Sequence, residues 1–208
     1  NMTLLRTLFP CLDELVGVKI PKWNDENSPW EILGPNNGVL LEEQIRTTKR
    51  GDDSIFIHPD AIVAESAVIE GPCYIGPNVV IRHGAYLRGG SWICNDSVVG
   101  NSSEIKNSLL LPGAKAPHFN YVGDSIIGAN VNLGAGVKIS NVRNDREMVY
   151  VRLFSGEIVQ TNLRKMGALI GDGSQIGCNS VTNPGALIGP NSMINPNETV
   201  TGYFGTMS

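Results

Sequence analysis

The chain is poor in the residue types that build most metal and redox centres. Its 208 residues include three histidines (His58, His83, His118) and four cysteines (Cys11, Cys73, Cys94, Cys178), none of them in a C-x-x-C pair. That spacing excludes a zinc ribbon or a thioredoxin-type motif and reads as reduced cytosolic thiols. A basic excess is also missing. The formal net charge is −4 and the pI is near 5.4, which argues against nucleic acid or an anionic membrane as partner. There is no long apolar run: "MTLLRTLFPCLDELVGV" is interrupted by Arg6, Asp13 and Glu14 and has no basic leader. Neither a signal peptide nor a membrane span is expected, and the location expected is cytoplasmic.

What the chain does have is glycine (24), proline (12) and a strict rhythm. Every sixth residue from Ile57 is aliphatic: Ile57, Val63, Ile69, Ile75, Ile81, Leu87, Ile93, Val99, Ile105 and Leu111. With aliphatics at roughly a quarter of positions, ten in succession is not chance. Four residues after each, the side chain is usually small, as at Ala61, Ala67, Cys73, Ala85, Ser91, Ser97 and Ser103. A period of six fits neither an amphipathic helix nor a long alternating strand. It fits short strands joined by tight turns, three to a coil of about 18 residues, stacked as a parallel β-helix of all-β class.

The rhythm resumes at Ile127, Leu133 and Ile139, and again at Ile170, Ile176, Ile188, Ile194 and Val200, with Thr182 the one polar miss. Leu111 to Ile127 falls short of a full coil. Between Ile139 and Ile170 lies an insertion whose "REMVYVRLFSGEIVQTNLRK" reads as a β-hairpin turning at Ser155-Gly156, within about residues 142–166. Residues 2–54 lack the rhythm and read as a helical segment capping the first coil of the 55–202 domain, because an open coil end exposes strand edges. They contain no Gly-rich nucleotide loop.

Coil register turns spacing into proximity. Arg88 and Lys106 each follow an inward aliphatic and are one coil apart, so they stack on one face about 4.8 Å apart. Two cations that close call for an anion, phosphate above all. His118 falls in the next coil, where the rhythm slips and side chains are re-aimed. His58 and His83 read as structural. A γ-carbonic-anhydrase-like zinc site needs a close histidine pair that is not here.

The stretch "KAPHFNYVGDSIIGANVNLGAGVKISN" resembles the acetyltransferase domain of the bifunctional bacterial enzyme that makes UDP-N-acetylglucosamine, whose pattern is close to K-x-P-H-x-x-Y-x-G-D-x-x-I-G-x-N-x-N-x-G-A-G. The resemblance covers about residues 55–200. It implies a left-handed coil, a homotrimer with sites between subunits, acetyl-CoA as co-substrate and an amino-sugar phosphate, most simply glucosamine 1-phosphate, as acceptor. It implies His118 as general base and Arg88, Lys106 and Lys165 as phosphate ligands. Tyr121 and Asn132 would line the sugar pocket, and Asn141 would sit near the reacting amine. Ala135 and Cys178 would face the coenzyme. Where the family has tyrosine then aspartate after the asparagine, this chain has Val142 and Arg143; Asn195 and Pro196 replace small alanines.

The groups suit that chemistry. A base near neutral pKa takes a proton from an attacking amine, and the Gly134-Ala135-Gly136 turn offers backbone N–H groups to coenzyme or oxyanion. Coenzyme A is itself the leaving group, so transfer is expected to need no metal. A second reading rests on the departures: a catalytically silent β-helix that binds a sugar phosphate or nucleotide sugar and scaffolds a separate nucleotidyltransferase.

Overall fold

The computed structural model describes residues 3–24, 26–34, 40–48 and 53–206. From residue 55 onward the chain winds as a left-handed parallel β-helix of about eight turns. Strands of two to four residues succeed one another in three walls. The first runs from Ile55–Ile57 through Cys73–Ile75, Ser91–Ile93, Leu109–Leu110, Ile126–Ile127, Ala168–Ile170 and Ala186–Ile188 to Tyr203–Phe204. The second includes Val98–Asn101, Lys115–His118, Asn132–Leu133 and Gln175–Ile176; the third includes Tyr86–Leu87, Glu104–Lys106, Tyr121–Gly123 and Lys138–Ile139. All ladders between coils are parallel, and both predicted interior sets point inward. Ile75, Ile81, Leu87, Ile93, Val99 and Ile105 are buried, as are Cys73, Val79, Ala85, Ser91, Ser97 and Ser103.

Two members of the ten-residue series behave otherwise. Ile57 is in register with Ile75 but 42% exposed, because it stands in the outermost described coil. Leu111 is buried outside the coil, among Trp92, Cys94, Ile126 and Ala129; the interior position belongs to Leu110, which pairs with Ile93 and Ile127. The rhythm therefore does not slip within residues 112–121, where Leu110, Ala116 and Val122 keep the period of six. It slips at two corners between the third and first walls, Ile105 to Leu110 and Val122 to Ile127, each one residue short. These corners share one design. Asn107 (φ +44°) and Asp124 (φ +49°) take the left-handed turn, and Ser108 and Ser125 close it by donating to the carbonyls of Lys106 and Gly123 at 2.8 and 2.7 Å.

The outer face of the first wall is as apolar as its inner face. Tyr74, Trp92, Leu109, Ile126, Leu169 and Leu187 are all buried there, so this wall reads like a parallel sheet covered on both sides. The cover is the N-terminal segment, whose helices Leu4–Leu8 and Leu41–Thr48 and 3-10 turns Pro10–Asp13 and Pro29–Leu33 bury Leu5, Leu8, Phe9, Trp30, Ile32, Leu41 and Ile45. The expected cap over the first coil is thus a buttress along its side. Asp172 ties the segment down, accepting from the Ala129 and Cys11 N–H groups at 2.7 and 2.8 Å. Burial pushes the Asp172 carboxyl above its ordinary pKa, while those hydrogen bonds oppose the shift.

The insertion is a hairpin of strands Val149–Arg152 and Ile158–Leu163. It turns at Ser155-Gly156, where the Gly156 N–H donates to the Leu153 carbonyl at 2.8 Å. Val149, Val151, Leu163 and Met166 join the buttress cluster.

Thr182 occupies an interior position between Ile139 and Val200, and its buried hydroxyl has no hydrogen-bond partner among the described residues. An unpaired buried hydroxyl is destabilising. Thr182→Val is expected to raise stability by about 1 kcal/mol, or Tm by about 2–4 °C in a chain of this size. A lower Tm in thermal unfolding would show that the hydroxyl is satisfied.

Candidate active site

The third wall and the corners on either side of it collect the predicted site residues. Register places Arg88 and Lys106 one above the other, with the Arg88 N–H donating to the Ile105 carbonyl at 2.8 Å. The anions that pair with these cations come from the chain itself. Arg88 Nη1 donates to Glu104 Oε1 at 3.0 Å, and Lys106 Nζ reaches both carboxylate oxygens of Asp124 at 3.0 Å. The Glu104 hydrogen bond raises the Arg88 pKa further. Stacked cations alone therefore do not require a bound phosphate. They still offer donors: an ammonium has three N–H groups, of which two are engaged, and one guanidinium nitrogen contacts Glu104.

Asp124, which sequence reasoning noted only as a motif letter, is the hub of this face. Its side chain is 3% exposed and also accepts from Asn107 Nδ2 at 2.8 Å and Asn141 Nδ2 at 2.6 Å. The Asn141 amide donates onward to the Tyr121 hydroxyl at 3.2 Å. Burial pushes the Tyr121 phenol up, and the Asn141 hydrogen bond pulls against that shift. Gly123 keeps this space open, since a Cβ there would lie 2.6 Å from both Asn141 Nδ2 and the Tyr121 hydroxyl. The second Asn107 hydrogen bond runs to the Leu33 carbonyl at 2.9 Å, joining the buttress to the site. A clue lay in the sequence: "KNSLL" and "GDSII" repeat one pattern 17 residues apart.

His118 lies at the other edge of the third wall, at the end of Lys115–His118, exposed and with no ring hydrogen bond among the described residues. Its corner is pinned by Asn120, a buried amide that sequence reasoning passed over. Asn120 Oδ1 accepts from the His118 N–H at 3.1 Å, and Nδ2 donates to the Gly134 carbonyl at 2.8 Å and the Val137 carbonyl at 3.3 Å. The corner is thereby locked to the Gly134-Ala135-Gly136 corner one coil on. Two of that turn's N–H groups are committed, Gly134 to the Ile176 carbonyl at 2.8 Å and Gly136 to the His118 carbonyl at 3.0 Å. Only Ala135, exposed, keeps a free N–H among the described residues, so the turn offers one donor rather than three. Ala135 and the exposed Cys178 follow His118 in the same corner column, joined by backbone hydrogen bonds from Gly136 to His118 and from Asn179 to Ala135.

The remaining predicted residues are more loosely placed. Asn132 is on the second wall, in register with Lys115 and Gln175. Lys165 is exposed beside Met166, whose N–H donates to the Asn141 carbonyl at 3.0 Å, and it has no ion pair among the described residues. A groove of about 440 Å³ under the hairpin, lined by Arg143, Tyr150, Arg152 and Asn183, contains none of the predicted residues. Within it Arg143 is paired with Asp145.

The triangular coil of short turns thus carries a histidine at one corner and a cation–carboxylate face at the far edge of the adjoining wall. The profile described as "Bacterial transferase hexapeptide (six repeats)" matches residues 54–89 and 72–107. "Bifunctional protein GlmU" of Methanococcus maripaludis (strain C5 / ATCC BAA-1333) is 37% identical over 169 residues, 78% of this chain and 41% of that protein. The protein of the same name from Methanocaldococcus jannaschii is 35% identical over 182 residues, 83% and 44% of the two chains. A Sulfurisphaera tokodaii protein, "Bifunctional sugar-1-phosphate nucleotidylyltransferase/acetyltransferase", is 34% identical over 177 residues, 78% and 42%. The chain spans about two fifths of the length of these relatives. Among solved structures, the "Acetyltransferase domain of PglB from Neisseria gonorrhoeae FA1090" aligns with 80% of this chain and 62% of its own at 17% identity and a TM-score of 0.39. The chain carries bacterial transferase hexapeptide repeats and is similar over about four fifths of its length to part of these bifunctional relatives.

Asp124 provides the direct test of the site's construction. Asparagine tolerates the left-handed backbone, so Asp124→Asn removes charge without disturbing the turn. It leaves Lys106 largely buried and unpaired, and about 2–3 kcal/mol of stability should be lost in denaturant unfolding. Adding Lys106→Met should restore part of it. An unchanged single variant would mean that the carboxylate does not hold this face together.

Proposed function

We propose that the protein is an acetyl-CoA-dependent N-acetyltransferase acting on an amino-sugar phosphate, glucosamine 1-phosphate first among the candidates, in the synthesis of a nucleotide sugar. The observation that carries this reading is the arrangement along one wall. His118 stands at the corner column shared with Ala135 and Cys178, and Lys106, Asp124, Asn141 and Tyr121 form a polar network at the wall's far side. The names of the relatives support the pairing of a sugar 1-phosphate with acetyl transfer.

In this reading the sugar phosphate is held by Arg88, Lys106 and Lys165 through charge-assisted hydrogen bonds, with Tyr121, Asn132 and Asn141 placing the ring and its amine. The amine nitrogen attacks the thioester carbonyl, and the C–S bond breaks as the new C–N bond forms. His118 takes the proton from nitrogen, and the coenzyme thiolate leaves and is protonated. The free Ala135 N–H faces the coenzyme side, with Cys178 next in the column. The proposed assembly is a homotrimer with the site completed between subunits, where His118 and Lys165, exposed and without partners among the described residues, would find them.

The test is direct. The protein is mixed with acetyl-CoA and glucosamine 1-phosphate, and N-acetylglucosamine 1-phosphate is sought by mass spectrometry. His118→Ala should lower kcat by about 10²–10⁴ with the fold intact. Product from wild type and almost none from the variant supports the reading. Absence of product, with the sugar phosphate still raising Tm, would favour a silent binding coil instead.

A further inference from the structure

The corner that follows the second wall takes a left-handed backbone in coil after coil. Gly84, Ser102, Phe119, Gly136, Asn179 and Asn197 hold it in turn, at φ between +51° and +77°. Glycine, asparagine and serine are what such a turn tolerates; a bulky aromatic is an outlier there. Phe119 (φ +51°) is that outlier, and it is the residue after His118. Burial does not compensate, because Phe119 is 60% exposed.

Residues held in a sparsely populated backbone region persist where their surroundings over-determine them, and such residues cluster at functional sites. The surroundings of Phe119 do so. Its N–H donates to the Asn101 carbonyl at 2.9 Å, the His118 N–H to Asn120 Oδ1 at 3.1 Å, and the Asn120 N–H to Ser103 Oγ at 3.2 Å. The ring itself is steered: Lys138 Nζ lies 4.9 Å from its centroid and also donates to the Gly136 carbonyl at 2.9 Å. Lys138 is one coil on from Tyr121, so the ring is drawn towards the coil that carries Ala135, with Cys178 beyond.

We infer that Phe119 is a substrate-contacting specificity residue whose ring forms an apolar wall beside His118 for the thioester arm of the acyl donor. The inference rests on the acyl-transfer reading of His118. The donor is favoured over the sugar by position. Phe119 directly follows His118 in the corner column that continues through Ala135, whereas the charged network that suits a phosphorylated sugar is at the opposite edge of the third wall. An aromatic face matches the apolar segments of a pantetheine-like arm and adds contact area at little conformational cost.

Phe119→Gly separates this role from a structural one, because glycine is the better residue for the backbone. The variant should unfold about 2–4 °C higher. Its Kd for acetyl-CoA, read by calorimetry, should weaken by about tenfold, with the KM for glucosamine 1-phosphate changed less than about twofold. Phe119→Leu should recover part of the donor affinity without the gain in Tm. An unchanged Kd overturns the inference, as does an effect confined to the sugar. A lower Tm or a smaller oligomer by light scattering would make Phe119 an assembly contact and overturn it too. The two readings fail separately. Wild type that binds acetyl-CoA but makes no product defeats the proposed reaction, and Phe119 is then judged on the Kd ratio alone. Wild type with no affinity for acetyl-CoA defeats both.

Discussion

Everything in this molecule depends on one constraint, that each inward aliphatic must sit over its counterpart in the next coil. The strands are too short to stand alone. Their stability comes from the continuous column that includes Ile75, Ile93, Leu110, Ile127, Ile170 and Ile188, and from ladders joining every coil to its neighbours. In such a stack each coil is supported mainly by nearest neighbours, so a change in corner length is tolerated if the inward positions are recovered by the next wall. That tolerance is what the site exploits. The two short corners after Ile105 and Val122 keep the column intact yet bring Asp124 to where it can accept from Asn107, Lys106 and Asn141.

The inward column was legible in the sequence because it answers to a single requirement, apolar packing at a fixed period. The hairpin was legible for a similar reason, since β-rich runs about a Ser-Gly turn have few other solutions. The stacking of Arg88 on Lys106 followed from the period as well. What escaped is what the period does not encode. Phe56, Tyr74 and Trp92 recur every 18 residues on the outer face of the first wall, but an outward position is normally solvated, and only the N-terminal segment makes it a second core. The short corners were hidden because aliphatics stand at both Leu110 and Leu111, so the alternating reading stayed satisfied one residue out of step. Asp124 stood out only as a letter of the motif and Asn120 not at all, because asparagine and aspartate are ordinary at the left-handed corners of this coil. All but one of their side-chain hydrogen bonds are made to residues 14 to 18 positions away and have no local signature.

The buttress and the site are mechanically joined. Leu33 closes the N-terminal segment against Asn107, Asn107 holds Asp124, and the Asp124 carbonyl accepts from the Gly167 N–H at 2.8 Å where the chain returns from the hairpin. One residue, Asp124, therefore links three parts of the chain: the first wall's cover through Asn107, the coil, and the insertion through its backbone carbonyl. A face built this way is held before any ligand arrives, which limits the ordering cost of binding.

The charge balance of that face then sets what it can attract. Arg88 with Glu104 and Lys106 with Asp124 are neutral as pairs, so their long-range pull on an anion is weak even though their unused N–H groups are well placed. In the proposed reaction, short-range recognition and long-range attraction are thus assigned to different residues. The paired cations fix geometry, and an exposed cation with no carboxylate beside it supplies the field. Lys165, next to the Met166 N–H that donates to the Asn141 carbonyl, is a described cation that fits the second role. Its position where the hairpin rejoins the coil gives the insertion a physical reason to bear on this face: it sets where one unpaired cation of the described residues stands.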